Sequence, residues 1–378
     1  MECYCLICVT EPLAQQTPEF HHTMMQRCLA LAQKAAGRTA PNPMVGAVIV
    51  QDGEIVGEGF HPKAGQPHAE VYALKEAGER AKGGTLYVNL EPCNHYGRTP
   101  PCSEAVIRAG ISQVIIGMID PDQRVAGAGI DRLRQAGINV RVGVEEAACQ
   151  RLNEAFVHRI RRQRPFGILK YAMTLDGKIA ATTGHSAWVT DSEARASVHK
   201  LRAICDAVIV GANTVRQDNP LLTTHGLSDH NPLRVVMSRR LDLPTQAQLW
   251  DTTEFATLVL TQEGVNPQFQ KTLQDRGVEI VALPTLTPAT AMAHLYDRGF
   301  LTVLWECGSQ LTAAAIADQT VQKVWAFIAP KIIGGNNAPS PVGDLGFEQM
   351  TQAIRLEKTQ VRRIGDDFLI EGYLQTSV

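Results

Sequence analysis

The chain has 378 residues, of which 44% are hydrophobic and 20% are charged, which is typical of globular proteins and excludes disordered and fibrous classes. This length predicts two domains. Basic residues number 36 and acidic residues 38, and the formal charge of −2 argues against a protein that coats nucleic acid or binds membranes through a polybasic surface. No apolar stretch reaches the roughly 18 residues of a membrane span. Nine cysteines, an odd number scattered along the chain, predict a reducing compartment, and we expect a cytoplasmic protein without a signal peptide.

Predicted strands and helices alternate through the first half, which is typical of α/β layer proteins. A short apolar strand is followed by the hairpin turn Asp52-Gly53 and a returning strand. The predicted strands are 45–50, 55–60, 85–90, 114–118 and 140–144, and the predicted helices begin near Met25 and at 68–81, 103–109 and 130–136. Residues 1–20 are predicted to be an extension, whose cysteines Cys3, Cys5 and Cys8 lack partner ligands at zinc-ribbon spacing.

A basic run that ends in Pro165 predicts a solvated connector. We therefore expect an N-terminal extension at 1–20, a first domain at 21–150, a linker at 151–165 and a second domain at 166–378. In the second domain, Thr190-Asp191-Ser192-Glu193 predicts a capping box at the start of a helix that runs to Ala203. Strands are predicted there at 166–173, 207–210, 233–237, 256–260, 278–282, 301–305 and 321–328.

Three residues in the first half form a candidate metal site. His68 lies in the segment Pro67-His68-Ala69-Glu70, and the cysteines are Cys93 and Cys102. One histidine and two cysteines are the ligand set of a catalytic zinc site that keeps a fourth position for water. A histidine two residues before a glutamate, followed later by Pro-Cys, is the pattern of zinc nucleobase deaminases, although eight residues separate these cysteines where two are usual.

Glu70 is the candidate proton carrier of this site. Residues two apart on a helix point to nearly opposite sides, so His68 and Glu70 converge only if His68 lies at the helix start, before regular geometry begins. Cys102 is expected to open the next helix, where a thiolate is favoured electrostatically. Two thiolates neutralise Zn²⁺ and weaken it as a Lewis acid, so the bound water needs a base. We expect Glu70 to take the proton of this water and pass protons to the ring nitrogen and the departing ammonia.

Two alternatives remain open from the residues alone. In the first, a fourth side chain replaces the water in a closed structural zinc site, and Glu70 is an ordinary acid in the first turn of a helix. In the second, no metal binds.

These motifs resemble the deaminase domain of the bifunctional deaminase/reductases of riboflavin biosynthesis. The resemblance is carried by the loop 95–101 between the cysteines, by 41–46 and by His61. It implies a cytidine-deaminase-like three-layer α/β domain, zinc on His68, Cys93 and Cys102, and Glu70 as proton shuttle. It also implies substrate contacts from Asn42, His61, His95 and Arg98. Asn42 offers a donor and an acceptor to a pyrimidine edge, although these residues also suit ordinary turns and solvated loops.

The second half lacks the G-x-G-x-x-G fingerprint of dinucleotide-binding folds. Its segments 170–178, 186–190, 211–223 and 305–308 resemble the reductase domain of the same family, which implies a dihydrofolate-reductase-like α/β fold. The resemblance implies an NADPH site at Ala172, Trp188, Thr214, Asp218 and Gly308. It implies substrate contacts from Lys170, Ser186, Arg202, Leu222 and Glu306. A core aromatic, a helix-surface charge or a turn carboxylate would explain several of these residues equally well.

Two positions depart from the family pattern. Thr224-His225 stand where the family usually has Val-Arg, which weakens the expectation of a phosphate-binding arginine. Ser238-Arg239 stand where it usually has Asp-Ser, and we hypothesise that Arg239 and Arg240 bind the 2′-phosphate that distinguishes NADPH from NADH.

The sequence therefore predicts an enzyme with two activities. The first is zinc-dependent deamination of 2,5-diamino-6-(5-phosphoribosylamino)pyrimidin-4(3H)-one, and the second is NADPH-dependent reduction of the ribosyl group of 5-amino-6-(5-phosphoribosylamino)uracil. We expect small-molecule substrates, no nucleic-acid or membrane partner, and a homo-oligomer. The alternatives are a deaminase whose second half only scaffolds, a nucleic-acid deaminase, and an interaction module without zinc.

Overall fold

The computed structural model describes residues 17–96, 100–123 and 125–375. The contacts within the chain divide it between Glu154 and Ala155 into two compact units. Cys3, Cys5, Cys8 and Arg98 lie outside the described residues. Among the described residues, no helix is both long and apolar enough to cross a bilayer.

The first unit is a five-stranded sheet with helices on both faces. Its strands are β1 (Gly46–Gln51), β2 (Glu54–Phe60), β3 (Thr85–Leu90), β4 (Gln113–Met118) and β5 (Asn139–Val142). Its helices are α1 (Pro18–Gln33), α2 (Ala69–Ala77), α3 (Cys102–Arg108), α4 (Ala128–Gln135) and α5 (Glu146–Leu152), with a short 3-10 helix at Gly78–Ala81. The strand order is β2-β1-β3-β4-β5, with β1 antiparallel to both its neighbours and the later pairs parallel.

Both faces of this sheet are buried, because successive strand residues point to opposite sides. Leu86 and Val88 of β3 belong to the core cluster that also contains buried residues of α2, α3 and α4. Tyr87, between them, points to the other face, where its hydroxyl lies 2.9 Å from Nδ1 of His21 in α1. The three layers confirm the α/β fold expected for the first half.

The second unit is built on a nine-stranded sheet. Its strands are β6 (Phe166–Thr174), β7 (Ala207–Gly211), β8 (Leu233–Ser238), β9 (Thr257–Gln262), β10 (Glu279–Leu283), β11 (Thr302–Trp305), β12 (Lys323–Ala329), β13 (Leu356–Ile364) and β14 (Asp367–Leu374). Its helices are α6 (Glu154–Arg162), α7 (Ser192–Ala203), α8 (Ala212–Asp218), α9 (Pro267–Gln274), α10 (Pro288–Asp297) and α11 (Ser309–Ala317), with 3-10 helices at Gln248–Trp250 and Met350–Gln352.

The strand order β10-β9-β8-β7-β11-β6-β12-β14-β13 is parallel from β10 to β12 and antiparallel in the last two pairs. One core cluster packs the sheet against α7, α8 and α9, and a second packs it against α10 and α11. Since parallel strands share their direction, the segments after β6, β7, β8 and β11 lie on one side of the sheet, at the carboxyl ends of these strands. Ligands of open α/β sheets usually bind at this end.

The structure differs from the predicted elements in several places, and the helices α5, α8, α9 and α10 are among the elements that were not predicted. The first helix begins at Pro18 rather than near Met25, with Thr17 as its N-cap. Most of the predicted connector is the helix α6. The N-cap of α7 is Asp191, whose carboxylate accepts a hydrogen bond from the Ala194 N–H at 2.7 Å, so the predicted capping box at Thr190 is wrong by one residue. The hairpin of β13 and β14 was not predicted, because β13 is exposed along most of its length and carries no apolar alternation.

Two glycines of β2 let α2 approach the sheet closely. A Cβ on Gly57 would overlap the Ala73 carbonyl oxygen, and a Cβ on Gly59 would overlap the carbonyl oxygen of Ala69. The position of α2 therefore depends on the absence of side chains at these two positions.

We expect Gly59→Ala to destabilise the first unit by about 2–3 kcal/mol, because the added methyl group meets backbone that cannot move aside. Hydrogen-exchange mass spectrometry of peptides covering α2 measures this effect locally. Gly211→Ala is the matched control, since its Cβ would meet only the flexible end of Leu311, at 3.3 Å. Unchanged exchange in α2 of the Gly59→Ala variant would contradict the prediction.

Candidate active sites

His68 stands at the start of α2 with extended backbone angles, φ −75° and ψ 163°, and forms its N-cap. Glu70 follows in the first helical turn. This confirms the expectation that His68 precedes regular helical geometry. The break in geometry allows both side chains to serve one site, although they are only two residues apart.

The structure brings the three predicted metal ligands together. The His68 Nδ1 atom lies 3.3 Å from Cys102 Sγ and 3.6 Å from Cys93 Sγ. All three candidate ligand atoms lie within 4.8 Å of one another, and no fourth histidine, cysteine or acid of the described chain joins the group. Cys102 is the first residue of α3, and its backbone N–H donates to Cys93 Sγ at 3.3 Å.

The protonation of the two sulfurs also fits a metal. Hydrogen bonding from the Cys102 side chain lowers the pKa of Cys93 to about 4, against the opposing effect of burial. The same hydrogen bond, together with burial, raises the pKa of Cys102. Two sulfurs so close share one proton, and a divalent cation that replaces the proton stabilises both thiolates. The ligand set of two sulfurs and one imidazole suits zinc.

Glu70 is a buried carboxyl group with an unused oxygen. Its side chain is buried with the residue only 3% exposed, and its Oε2 has no hydrogen-bond partner among the described residues. Burial, and then the negative charge of Cys93, raises the pKa of Glu70 to about 7. A carboxyl group with such a pKa accepts and releases protons readily near neutral pH, which is what a general acid and base requires.

Two of the predicted substrate residues contact each other beside the ligands. The His61 Nδ1–H donates to the Pro67 carbonyl at 3.0 Å, and the Asn42 amide group donates to His61 Nε2 at 3.1 Å. This pattern fixes one neutral tautomer, and burial lowers the pKa of His61 accordingly. The His61 ring also packs edge-on against His68, with 5.5 Å between centroids. His95 is exposed.

Sequence reasoning missed Glu91, a buried acid between β3 and Cys93. Its carboxylate accepts four backbone N–H bonds at 2.9–3.3 Å, from Asp120, Gly127, Gly129 and Ile130. A Cβ on Gly129 would overlap the Pro92 carbonyl oxygen. The backbone of Pro92, just before Cys93, therefore lies directly against the start of α4. Glu91 therefore fixes the segment that carries Cys93. An acid directly after a fully buried strand was the available signal.

In the second unit, three predicted substrate residues form a buried charge cluster. The Arg202 guanidinium binds both oxygens of Glu306, at 2.6 and 3.0 Å, and Lys170 Nζ lies 3.7 Å from Glu306 Oε2. Burial alone would raise the pKa of Glu306, but Arg202 and Lys170 hold it at about 2. Burial lowers the pKa of Lys170. The cluster keeps one net positive charge at the edge of the sheet.

Leu222 and Ser186 are two further residues that the sequence predicts to contact the substrate of the second unit. Arg202 also donates to the Thr223 carbonyl at 2.9 Å. This contact places the segment of Leu222, which is buried and has a positive φ of 59°. Ser186 donates to Asp218 Oδ1 at 2.7 Å, so these two predicted residues meet at the end of α8.

Three of the predicted cofactor residues, Ala172, Thr214 and Gly308, lie near the carboxyl ends of β6, β7 and β11. Gly308 is the N-cap of α11, and a Cβ there would meet no atom within 4 Å, which leaves space for a ligand to approach the backbone. Trp188 is 71% exposed, with the Arg195 guanidinium 4.5 Å from its ring centre. Ala172 lies in β6 and Thr214 in α8. An open helix N-terminus and an exposed indole suit the phosphate and ring portions of a dinucleotide.

Comparisons with known proteins cover both halves. The model of the cytidine and deoxycytidylate deaminase zinc-binding region matches residues 18–118, and the model of the RibD C-terminal domain matches residues 165–370. The riboflavin biosynthesis protein RibD of Synechocystis sp. is 64% identical over 93% of this chain and 96% of its own length. The solved structure of Acinetobacter baumannii RibD is 36% identical, with a TM-score of 0.86 over 95% of this chain and 100% of that one. A diaminohydroxyphosphoribosylaminopyrimidine deaminase/5-amino-6-(5-phosphoribosylamino)uracil reductase of Thermotoga maritima is 36% identical, with a TM-score of 0.84 over 95% and 99% of the two chains.

We expect Glu91→Gln to destabilise the Cys93 segment by about 2–4 kcal/mol. The NH₂ group of the glutamine would face backbone N–H groups, which now donate hydrogen bonds to the carboxylate. The rate at which a chelator removes zinc from the folded protein measures this effect.

Glu104→Gln is the control for this variant. Glu104 of α3 pairs with Arg132 of α4 at 2.6 Å, and because both side chains are partly exposed to solvent, this pair is expected to contribute little. Equal chelation rates for the two variants would show that Glu91 does not position the ligand segment.

Proposed function

The chain belongs to the family of bifunctional deaminase/reductases of riboflavin biosynthesis, and on this premise we propose how its own residues carry the two reactions. The protein has a zinc-binding deaminase domain and a reductase domain that uses NADPH. The main observation that supports the proposed residue roles is that His68, Cys93 and Cys102 lie together beside the buried Glu70 carboxyl group. The family match across both halves argues against a nucleic-acid deaminase and against an interaction module.

His68, Cys93 and Cys102 hold the zinc ion in this proposal. Zinc, when bound, supplies a Lewis acid that activates a water molecule. Glu70 Oε2 accepts a proton from the attacking water and delivers it to the ring nitrogen of the pyrimidine. The carboxylate then takes the proton of the newly added hydroxyl group and passes it to the exocyclic amine, which leaves as ammonia while the hydroxyl oxygen becomes a carbonyl. The substrate of this step is 2,5-diamino-6-(5-phosphoribosylamino)pyrimidin-4(3H)-one.

Asn42, His61, His95 and Arg98 hold the substrate in this proposal. The hydrogen bonds of His61 to Asn42 and to the Pro67 carbonyl support this role, because they orient both side chains before any ligand arrives. An oriented amide group reads the donor and acceptor edge of a pyrimidine with little loss of side-chain entropy.

Glu70→Gln is expected to lower ammonia release by about 10²–10⁴-fold, because an amide cannot carry the proton. Zinc content, measured by atomic absorption on the same preparation, should stay at the wild-type level.

The control is Glu76→Gln on the exposed side of the same helix, for which near-wild-type ammonia release is expected. Normal ammonia release by a zinc-loaded Glu70→Gln enzyme would show that Glu70 does not carry the proton.

Lys170, Ser186, Arg202, Leu222 and Glu306 hold the reductase substrate in this proposal, and Ala172, Trp188, Thr214, Asp218 and Gly308 hold the cofactor. NADPH, when bound, supplies a hydride to C1′ of the ribosyl group. Glu306 keeps Arg202 and Lys170 in place, and Lys170 holds a proton beside the reacting ribose. Loss of absorbance at 340 nm that depends on the deaminated substrate tests this half. Its absence would support the alternative in which the second half only scaffolds.

Arg239 is proposed to select NADPH. It is exposed directly after β8, at the edge of the sheet where the cofactor residues lie. Arg239→Ala is expected to weaken NADPH binding about tenfold by removing a charged contact to the 2′-phosphate, and to leave NADH binding unchanged. Fluorescence titration with both cofactors measures the ratio. A ratio equal to that of the wild-type protein would exclude Arg239 from this role.

The proposal for the whole chain is a cytoplasmic homo-oligomer that acts on small molecules without nucleic-acid or membrane partners, with a deaminase domain at 21–150 and a reductase domain at 166–378. Two observations support it. None of the six cysteines that the structure describes forms a disulfide, which fits a reducing compartment. The edge strand β13 leaves Val361 exposed, a position that a second subunit could cover.

A further inference from the structure

A buried asparagine at the end of α5 binds the backbone beside Asn42. Asn153 is the C-cap of α5 and is only 1% exposed. Its side-chain Oδ1 accepts a hydrogen bond from the Met44 N–H at 2.8 Å, and its Nδ2 donates to the Met44 carbonyl oxygen at 2.9 Å. One amide side chain therefore binds both backbone polar groups of a residue that lies 109 positions earlier in the chain. We call residues 42–46 the Asn42 segment.

Two other residues bind the Asn42 segment to the sheet. The side chain of Asn89, which is fully buried in β3, donates to the Met44 carbonyl oxygen at 3.0 Å and accepts from the N–H of the first residue of β1 at 2.8 Å. The Val45 carbonyl oxygen accepts from the His61 N–H at 2.9 Å, directly after β2. The segment is therefore attached to β2 and β3 by these contacts, and to α5 by the asparagine at the end of that helix.

The contacts of Met44 influence where the Asn42 side chain lies. Asn42 is two residues before Met44, its N–H donates to the Thr39 carbonyl at 2.7 Å, and its amide group donates to His61 Nε2 at 3.1 Å. Because this side chain is short, a shift of the backbone moves its amide group by a similar distance. A misplacement of about 1 Å in a site can cost up to two orders of magnitude in rate. A side chain that fixes the Met44 backbone therefore also fixes the amide group of Asn42.

We propose that Asn153 is a positioning residue of the deaminase reaction, which holds Asn42 in the orientation that binds the pyrimidine. The proposal rests on the proposed deaminase function and extends its substrate site to a residue that acts only through the backbone of Met44. An asparagine suits this role because its amide group offers one donor group and one acceptor, and so pairs with a backbone C=O and N–H at once. Asn153 lies in the stretch 151–165, which the sequence predicts to be a linker, so the role connects that stretch to the deaminase site.

A purely structural role for Asn153 leads to different kinetics. If this side chain only stabilised the fold, its loss would lower the amount of active enzyme, and kcat would fall while KM stayed the same. If it positions Asn42, its loss weakens substrate binding, so KM rises. The value of kcat per bound zinc should then change little, because neither Glu70 nor a metal ligand belongs to the Asn42 segment. The effect should also disappear when Asn42 itself is removed, since a positioning residue acts only through the group that it positions.

The first test is a double-mutant cycle of Asn153→Ala and Asn42→Ala, measured as KM and as kcat per bound zinc for ammonia release. Asn153→Ala alone should raise KM about tenfold. In the Asn42→Ala background, the same substitution should change KM by less than about twofold. Gln150→Ala, on the exposed side of the same helix, is the matched control and should keep the wild-type KM. An unchanged KM in Asn153→Ala, a loss of kcat at unchanged KM, or effects of the two substitutions that multiply would each overturn the proposal.

The second test does not need deaminase activity. Hydrogen-exchange mass spectrometry follows the amides of residues 42–48 in the wild type, in Asn153→Ala and in Asn153→Asp. The aspartate keeps the size of the side chain and an acceptor for the Met44 N–H, but it places an oxygen against the Met44 carbonyl. Both variants should exchange faster than the wild type in this peptide and at the wild-type rate in α2. Unchanged exchange at Met44 would show that Asn153 does not hold the Asn42 segment.

The two tests remain informative if one variant does not fold or if the enzyme is inactive. Where Asn153→Ala fails to fold, Asn153→Asp replaces it in the cycle with the same expected results, because it retains the shape of the side chain. Absence of ammonia release by the zinc-loaded wild type would contradict the proposed deaminase function, and the role of Asn153 would be rejected with it. Ammonia release by the wild type together with any of the overturning results contradicts only the role of Asn153.

Discussion

The first unit depends on one local constraint, which is that a ligand and a proton carrier come from the same three-residue segment. His68 satisfies this constraint because it caps α2 in an extended conformation, while Glu70 already lies in the helix. The packing around it keeps this arrangement in place. Glycines in β2 let α2 lie directly on the sheet, and the buried Glu91 carboxylate fixes the segment of Cys93 on the start of α4. The metal ligands therefore depend on backbone contacts that lie outside the ligand set.

The candidate site of the second unit depends mainly on buried charges, whereas that of the first unit depends on local backbone geometry. Glu306 is buried and ionised because Arg202 and Lys170 surround it, and the remaining positive charge lies at the edge where parallel strands end. Removing one partner of such a cluster would leave an unpaired buried charge, which is more costly than losing the interaction alone. His199 and His225 stack on each other with ring centres 4.2 Å apart, and burial, followed by the neighbouring imidazole and Arg202, lowers the pKa of His199 to about 4.

Much of the fold was predictable because it follows from local periodicity. The strands 85–90 and 166–173 were predicted nearly to the residue, since both are apolar runs bounded by turn residues or by proline. The hairpin of β13 and β14 was not, because β13 is held by backbone pairing to β14 and has no buried face that would impose a pattern on its side chains. The basic run of α6 predicts a solvated connector, because the sequence does not reveal which groups these arginines contact in the folded protein. Arg159, for example, lies over the ring of Tyr296.

The sequence by itself determined the ligand types, the position of His68 ahead of a helix and the two-part organisation, because these depend on residue identity and short spacing. It also determined that His225 departs from the family pattern. Only the tertiary structure decided that Glu91 reaches the start of α4, that Arg202 and Lys170 share Glu306, and that His199 stacks on His225. Each of these contacts joins segments far apart in the chain, and neither hydrophobic period nor local propensity carries information about such distances.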